Sequence, residues 1–151
     1  MHPGNYSLLG VGISFGISAK AAHPDKNVVV ISGDGAFLSG GLSIESAFQE
    51  GLPIIVVIDN NGGLDCISQQ QERLFANGKH YATDFRDIPF HSMFEGLGGY
   101  GELVTSRDEL KPALERAIKS GQTACLNVKC RGVISPIVAA TSDKRDKASI
   151  E

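Results

Sequence analysis

Two stretches of the chain are continuous apolar runs, Asn27 to Ser32 ("NVVVIS") and Ile54 to Ile58 ("IIVVI"), and Thr123 to Cys130 ("TACLNVKC") reads as the last strand. An unbroken apolar run of this length, rich in β-branched residues, predicts a strand buried on both faces. "GELV" (Gly101 to Val104) adds a shorter strand. The segments between them are spaced differently. Residues 10–22, "GVGISFGISAKAA", predict a small-residue helix packed tightly on a sheet and ended by Pro24 and Asp25. Residues 43–50, "SIESAFQE", predict a helix closed by Gly51. Residues 64–75 are polar and Gln-rich, and suit a helix or a partly ordered loop. Residues 88–98, "IPFHSMFEGLG", predict a short helix. Ser106 and Glu109 form a capping box that opens the amphipathic run "RDELKPALERAIKS", which Gly121 ends. Pro112 within that run is expected near its first turn. Residues 135–151 are polar, of mixed charge and without pattern.

Strands that alternate with helices, with the central strands apolar throughout, define an α/β fold: a parallel sheet with helices on both faces. Residues 1–134 are read as one domain and 135–151 as a C-terminal tail. In such a sheet, ligands sit at the carboxyl ends of the strands. Two polar clusters fall there. Gly33-Asp34-Gly35 follows one buried strand, and Asp59 to Gly63, "DNNGG", follows the next. Both clusters are therefore expected on one edge of the sheet.

Composition narrows the possibilities. The 151 residues carry a net charge of −3, with no basic run to hold nucleic acid or an anionic membrane. No apolar stretch reaches bilayer-spanning length, and the first residues lack the pattern of a signal peptide. A cytoplasmic protein is the expectation. Cys66, Cys125 and Cys130 are odd in number and lack metal spacing, so they read as reduced thiols, buried as small hydrophobes. The 18 glycines cluster between apolar runs, which marks loops around a ligand.

Asn61 lies 27 residues after Asp34, across one strand–helix–strand unit. One carboxylate, one amide oxygen and the carbonyls of nearby glycines make an all-oxygen donor set. Such a set suits Mg²⁺, which keeps substrate phosphates among its ligands. The N–H groups of Gly35, Ala36 and Phe37 lead towards a helix and could face a phosphate. The chemistry reads as a metal-bridged diphosphate.

At this spacing "GDGAF" and "NN" resemble the motif of thiamine diphosphate-dependent decarboxylases and carboligases. The run "LLGVGISFGISAKAAHPDKNVVVISGDGAF" is similar to the corresponding part of acetolactate synthase-like enzymes, and the similarity continues through "LPIIVVIDNNGG". The resemblance implies the thiamine diphosphate-binding fold, with thiamine diphosphate and Mg²⁺ as cofactors. It implies Asp34, Asn61 and the carbonyl of Gly63 as metal ligands. Gly33, Gly35, Ala36 and Phe37 would lie along the diphosphate. Leu9 would wedge beneath the cofactor, and backbone groups around Ser7 and Leu9 would face its aminopyrimidine. No catalytic residue is assigned within this chain. The glutamate that activates the pyrimidine lies in this family on another domain, which has no counterpart here. A fragment or one subunit is the expectation, with a pyrimidine-binding domain and homo-oligomeric assembly supplying the rest.

The implied activity is carboligation or decarboxylation of 2-keto acids. A 2-hydroxyacyl-CoA lyase or a benzaldehyde lyase-like enzyme is the alternative within the family. Outside it stand a non-catalytic assembly module and an NAD-binding Rossmann domain. Gly10, Gly12 and Gly16 spell a GxGxxxG for the latter, but no good strand precedes them. Asp34 could also be a simple helix cap, Asn61 a turn residue and Leu9 an ordinary core leucine. Asn60 reads as a structural neighbour of the site. His2, His23, His80 and His91 read as surface residues, with His80 and His91 also placed to approach a substrate. Glu45 reads as solvated or capping, and Gln69 to Arg73 as a solvated face.

Overall fold

The computed structural model describes residues 1, 2, 4, 8–75, 78–134, 136 and 139. Four strands, β1 (Val29–Gly33), β2 (Ile55–Asn60), β3 (Tyr100–Val104) and β4 (Ala124–Lys129), form one sheet in the order β1-β2-β4-β3. All three pairings are parallel. The helices are α1 (Val11–Ala22), α2 (Asp34–Gly40), α3 (Glu45–Gln49), α4 (Asp65–Leu74), α5 (Phe90–Gly96) and α6 (Arg107–Ser120). A 3₁₀ turn, Gly41–Ile44, joins α2 to α3.

The chain forms two compact units. The sheet unit comprises Met1–Asn60 and Ile88–Cys130. The second unit comprises Asn61–Asp87 and the residues from Arg131 onward. In that unit Gln69 on α4 donates to the Val133 carbonyl at 2.7 Å, which ties the segment after the sheet to α4.

Alternate residues of the strands feed two cores within the sheet unit. On one face Ile13, Val30, Phe37, Ile44, Val56, Ile58, Phe90, Phe94 and Cys125 pack together. On the other, Ile55, Val104, Ala124 and Leu126 meet Ala113 and Ala117 of α6. Helices thus cover both faces over β2, β4 and β3. The second face of β1 is left open: Val29 is 43% exposed and Ile31 78%. Burial on both faces, expected of this strand, holds for Val30 and not for its neighbours.

The local signals were read well at helix ends. The Glu109 carboxylate accepts the N–H groups of Ser106 and Thr105 at 3.1 and 3.0 Å, and these bonds hold its carboxyl below the usual range. Gly121 closes α6 in the left-handed region, at φ 65°. Pro112 departs from expectation, since it lies inside α6 beyond the first turn. It removes one backbone donor, and the packing of Ala113 and Ala117 against the sheet carries the helix through. Two boundaries matter for the site. α2 starts on Asp34 itself, with Gly33 extended before it (φ −67°, ψ 156°). β2 runs on to Asn60, because its pairing with β4 continues to Asn60 opposite Lys129.

Candidate cofactor and metal site

Asp34 sits where β1 becomes α2, and it is 3% exposed. Its Oδ1 accepts the Gly35 N–H at 2.7 Å. Its Oδ2 lies 3.3 Å from the side-chain amide of Asn60, the last residue of β2. Behind Asn60, the Asn127 amide stands at 2.9 Å and Lys129 Nζ at 3.2 Å. The Asn127 amide in turn reaches the Ile88 carbonyl and His91 Nδ1, both at 3.3 Å. Asn60 therefore has the structural place read from the sequence, directly against Asp34. The sequence reading missed Asn127 and Lys129. The signal was present in Asn127, an amide set inside the apolar run of the last strand. A buried amide needs partners, and the partners define where it points.

An open cleft of about 400 Å³ follows β1 on the sheet unit. Leu9, Gly12, Val29, Ile31, Gly33 and Ala36 are among its lining residues. It thus brings together Leu9, Gly33 and Ala36 of the expected cofactor residues. Leu9 is 53% exposed, so it is no core leucine. The Phe37 side chain faces elsewhere: it packs edge-on against Phe90 at 5.4 Å in the core, which leaves its backbone to serve a ligand. Ser7 lies outside the described residues. His91 is half-buried against Asn127, and Glu45 is exposed at the start of α3.

Asn61 and Gly63 open the second unit. The Asn61 Oδ1 is buried and has no hydrogen-bond partner among the described residues. An amide oxygen left so is costly unless something electropositive meets it. Gly63 bridges to Asp84, and a Cβ there would stand 2.4 Å from the Thr83 carbonyl oxygen, so only glycine fits. The bonds Leu64 N–H to Thr83 O (2.8 Å) and Phe85 N–H to Gly62 O (2.7 Å) fasten the same strand-like contact. These bonds fix the loop that presents Asn61. Among the described residues no cluster of three His, Cys, Asp or Glu side chains could hold a metal. The sheet unit thus offers a buried carboxylate at Asp34, and the second unit a buried amide oxygen at Asn61; each is a hard oxygen donor of the kind a divalent cation takes.

His80 is held between two carboxylates. Its Nδ1 contacts Asp84 at 2.8 Å and its Nε2 contacts Glu72 of α4 at 2.9 Å. These bonds, Asp84 first and Glu72 second, raise its pKa above the ordinary 6.5. A raised folded-state pKa stabilises fully below the unfolded value and loses that contribution as pH rises through the folded value. The second unit is therefore expected to loosen as pH rises above 6.5. In a proton NMR titration the His80 ring should show a midpoint above 6.5, and His80→Gln should flatten the pH dependence of proteolysis in residues 78–87. A midpoint at or below 6.5 would count against the clamp.

Cys125 is buried, and burial pushes its thiol up. Cys130 is raised to about 11 by partial burial and by Asp59. Neither forms a ready thiolate at neutral pH.

This arrangement can be set beside known proteins. The family described as "Thiamine pyrophosphate enzyme, C-terminal TPP binding domain" matches residues 1–128. The chain belongs to that family, and within it is acetolactate synthase-like. It is 36% identical over 126 residues to the acetolactate synthase large subunit of Mycobacterium tuberculosis, covering 83% of this chain and 23% of that one. It is 30% identical over 145 residues to the 2-hydroxyacyl-CoA lyase of Oryza sativa, covering 93% and 24%. Among solved structures, the thiamine diphosphate-dependent 4-hydroxybenzoylformate decarboxylase of Rhodococcus jostii RHA1 matches with a TM-score of 0.69 and 27% identity. That match covers 84% of this chain and 24% of the decarboxylase. The chain thus spans about a quarter of the length of these relatives. Membership displaces the NAD reading, and the structure gives Gly12 and Gly16 another use, in the seating of α1 against Val30 of β1. No helix among the described residues is long and apolar enough to cross a membrane.

Proposed function

We propose that this domain binds thiamine diphosphate through Mg²⁺, with Asp34, the Asn61 Oδ1 and the Gly63 carbonyl as protein ligands. The observation that carries the reading is the buried Asn61 Oδ1, an acceptor with no hydrogen-bond partner among the described residues, in a chain whose family is described as thiamine pyrophosphate-binding. Asp34 supplies the negative charge a divalent cation needs. Gly33 and Gly35 carry no side chain at the strand end, Gly33 and Ala36 line the cleft where a diphosphate would approach, and Leu9 offers an apolar support in the same cleft. When bound, the cofactor supplies an electron sink beside a carbonyl carbon, and the protein's task is to bind and orient it. The reaction class is carboligation or decarboxylation of 2-keto acids, carried out together with a pyrimidine-binding domain on another chain or segment, in a homo-oligomeric cytoplasmic enzyme. A 2-hydroxyacyl-CoA lyase is the second reading, favoured by a similarity to the rice enzyme that spans 93% of this chain. Without the partner domain, no turnover is expected.

The test is calorimetric titration of the chain with thiamine diphosphate, with Mg²⁺ and then with EDTA, and with NAD as a control. Heat that requires Mg²⁺ supports the proposal. Heat with NAD alone, or binding unaffected by EDTA, overturns it.

A further inference from the structure

We propose that Asn60 and Asn127 are a positioning pair, oriented by Lys129 and His91, that holds the Asp34 carboxylate in one pose. The pair stands between two groups with no hydrogen to donate: Asp34 Oδ2 at one end and the Ile88 carbonyl at the other. Each amide has one donor end and one acceptor end. Lined up head to tail, two amides satisfy only one of the two terminal acceptors. Asp34, Asn60 and Asn127 are 3%, 4% and 1% exposed, so bulk water does not relieve the conflict.

Lys129 decides the direction. Its Nζ lies 3.2 Å from the Asn60 atom that faces Asn127, and an ammonium only donates. That atom is therefore Oδ1, and the Asn60 NH₂ turns to Asp34 Oδ2 at 3.3 Å. Asn127 answers with its own NH₂ across the 2.9 Å contact and turns its oxygen to the far end. There the His91 ring, 3.3 Å away, can present an N–H to it. Hydrogen bonds to an ionised group are about twice as strong as neutral ones. The mismatch accordingly falls on the neutral Ile88 carbonyl, and the carboxylate is satisfied. Asp34 is then held from two sides, by the Gly35 N–H on Oδ1 and by Asn60 on Oδ2. The consequence for metal binding rests on the proposed function; the positioning itself does not.

Asn127→Asp is the direct test, because it keeps shape and removes the donor. Asn60 must then turn its NH₂ to residue 127 and its oxygen to Asp34. Lys129→Met removes the group that sets the direction, and its half-buried site makes loss of the fold a smaller risk. The Gly35 amide proton reports the carboxylate without any metal. In both variants its NMR resonance should move in the metal-free protein, and Mg²⁺-dependent affinity for thiamine diphosphate should fall about tenfold, the worth of one charge-assisted hydrogen bond. A Gly35 resonance unmoved in a folded variant overturns the proposal. If that resonance moves while even the unaltered chain binds no thiamine diphosphate with Mg²⁺, the metal reading fails and the positioning pair stands.

Discussion

Asp34→Ala is expected to abolish useful Mg²⁺-dependent binding of thiamine diphosphate, lowering affinity by at least about thirtyfold. The figure follows from truncating one partner of a desolvated charge pair, which costs about 2–5 kcal/mol. The substitution also leaves the Gly35 N–H and the Asn60 amide without the oxygens they face at 2.7 and 3.3 Å. A buried polar group so orphaned costs about 1–3 kcal/mol. Lost binding in this variant alone could therefore reflect a disturbed strand end. Asp34→Asn separates the two effects. It keeps an oxygen for Gly35, removes the charge and sets an NH₂ against the Asn60 NH₂, so its thermal stability should fall less than that of Asp34→Ala while Mg²⁺-dependent binding is lost. Calorimetry with and without EDTA, beside a thermal melt, measures both. Retained Mg²⁺-dependent affinity in a folded Asp34→Asn would remove Asp34 from the ligand set.

The strands and most helices were legible because their signals are local. Unbroken β-branched runs gave β1 and β2, and the Ser106–Glu109 box and Gly121 gave both ends of α6. That Asp34 and Asn60 end neighbouring strands side by side was legible for another reason: parallel strands place their carboxyl ends on one edge, whatever lies between them in sequence. What stayed hidden depends on side chains meeting across strands. Asn127 lies 67 residues from Asn60, and nothing local tells an amide in an apolar strand which neighbour it serves. For Phe37 the expectation concerned its backbone N–H, and what stayed hidden is where its ring goes. The start of α2 on Asp34 turns its ring into the core against Phe90 and Phe94. The open face of β1 was equally hidden, since an apolar run announces burial without saying what covers it.

The seating of α1 on β1 sets the second large effect. At Gly16 a Cβ would stand 2.4 Å from Val30 Cγ2 and 3.3 Å from Ile54 Cδ1. Gly16→Ala should gain about 0.5–1 kcal/mol from helix propensity. It should lose about 1–3 kcal/mol from overpacking, because Val30 and Ile54 are 8% and 0% exposed and have little room to yield. The clash wins, and a net loss of about 1–2 kcal/mol is expected, or roughly 3–6 °C in melting temperature for a chain of this size. The colliding atom belongs to a side chain, so the loss should be recoverable. Val30→Ala alone opens a cavity and destabilises. Combined with Gly16→Ala it removes the colliding methyl groups, and the double variant should be more stable than the sum of the single effects by about 1 kcal/mol or more. Denaturant melts of the four proteins measure that coupling. Strict additivity would mean that α1 shifts freely on the sheet. Positive coupling would show that Gly16 is glycine because helix and strand touch there, and that no dinucleotide is needed to explain it.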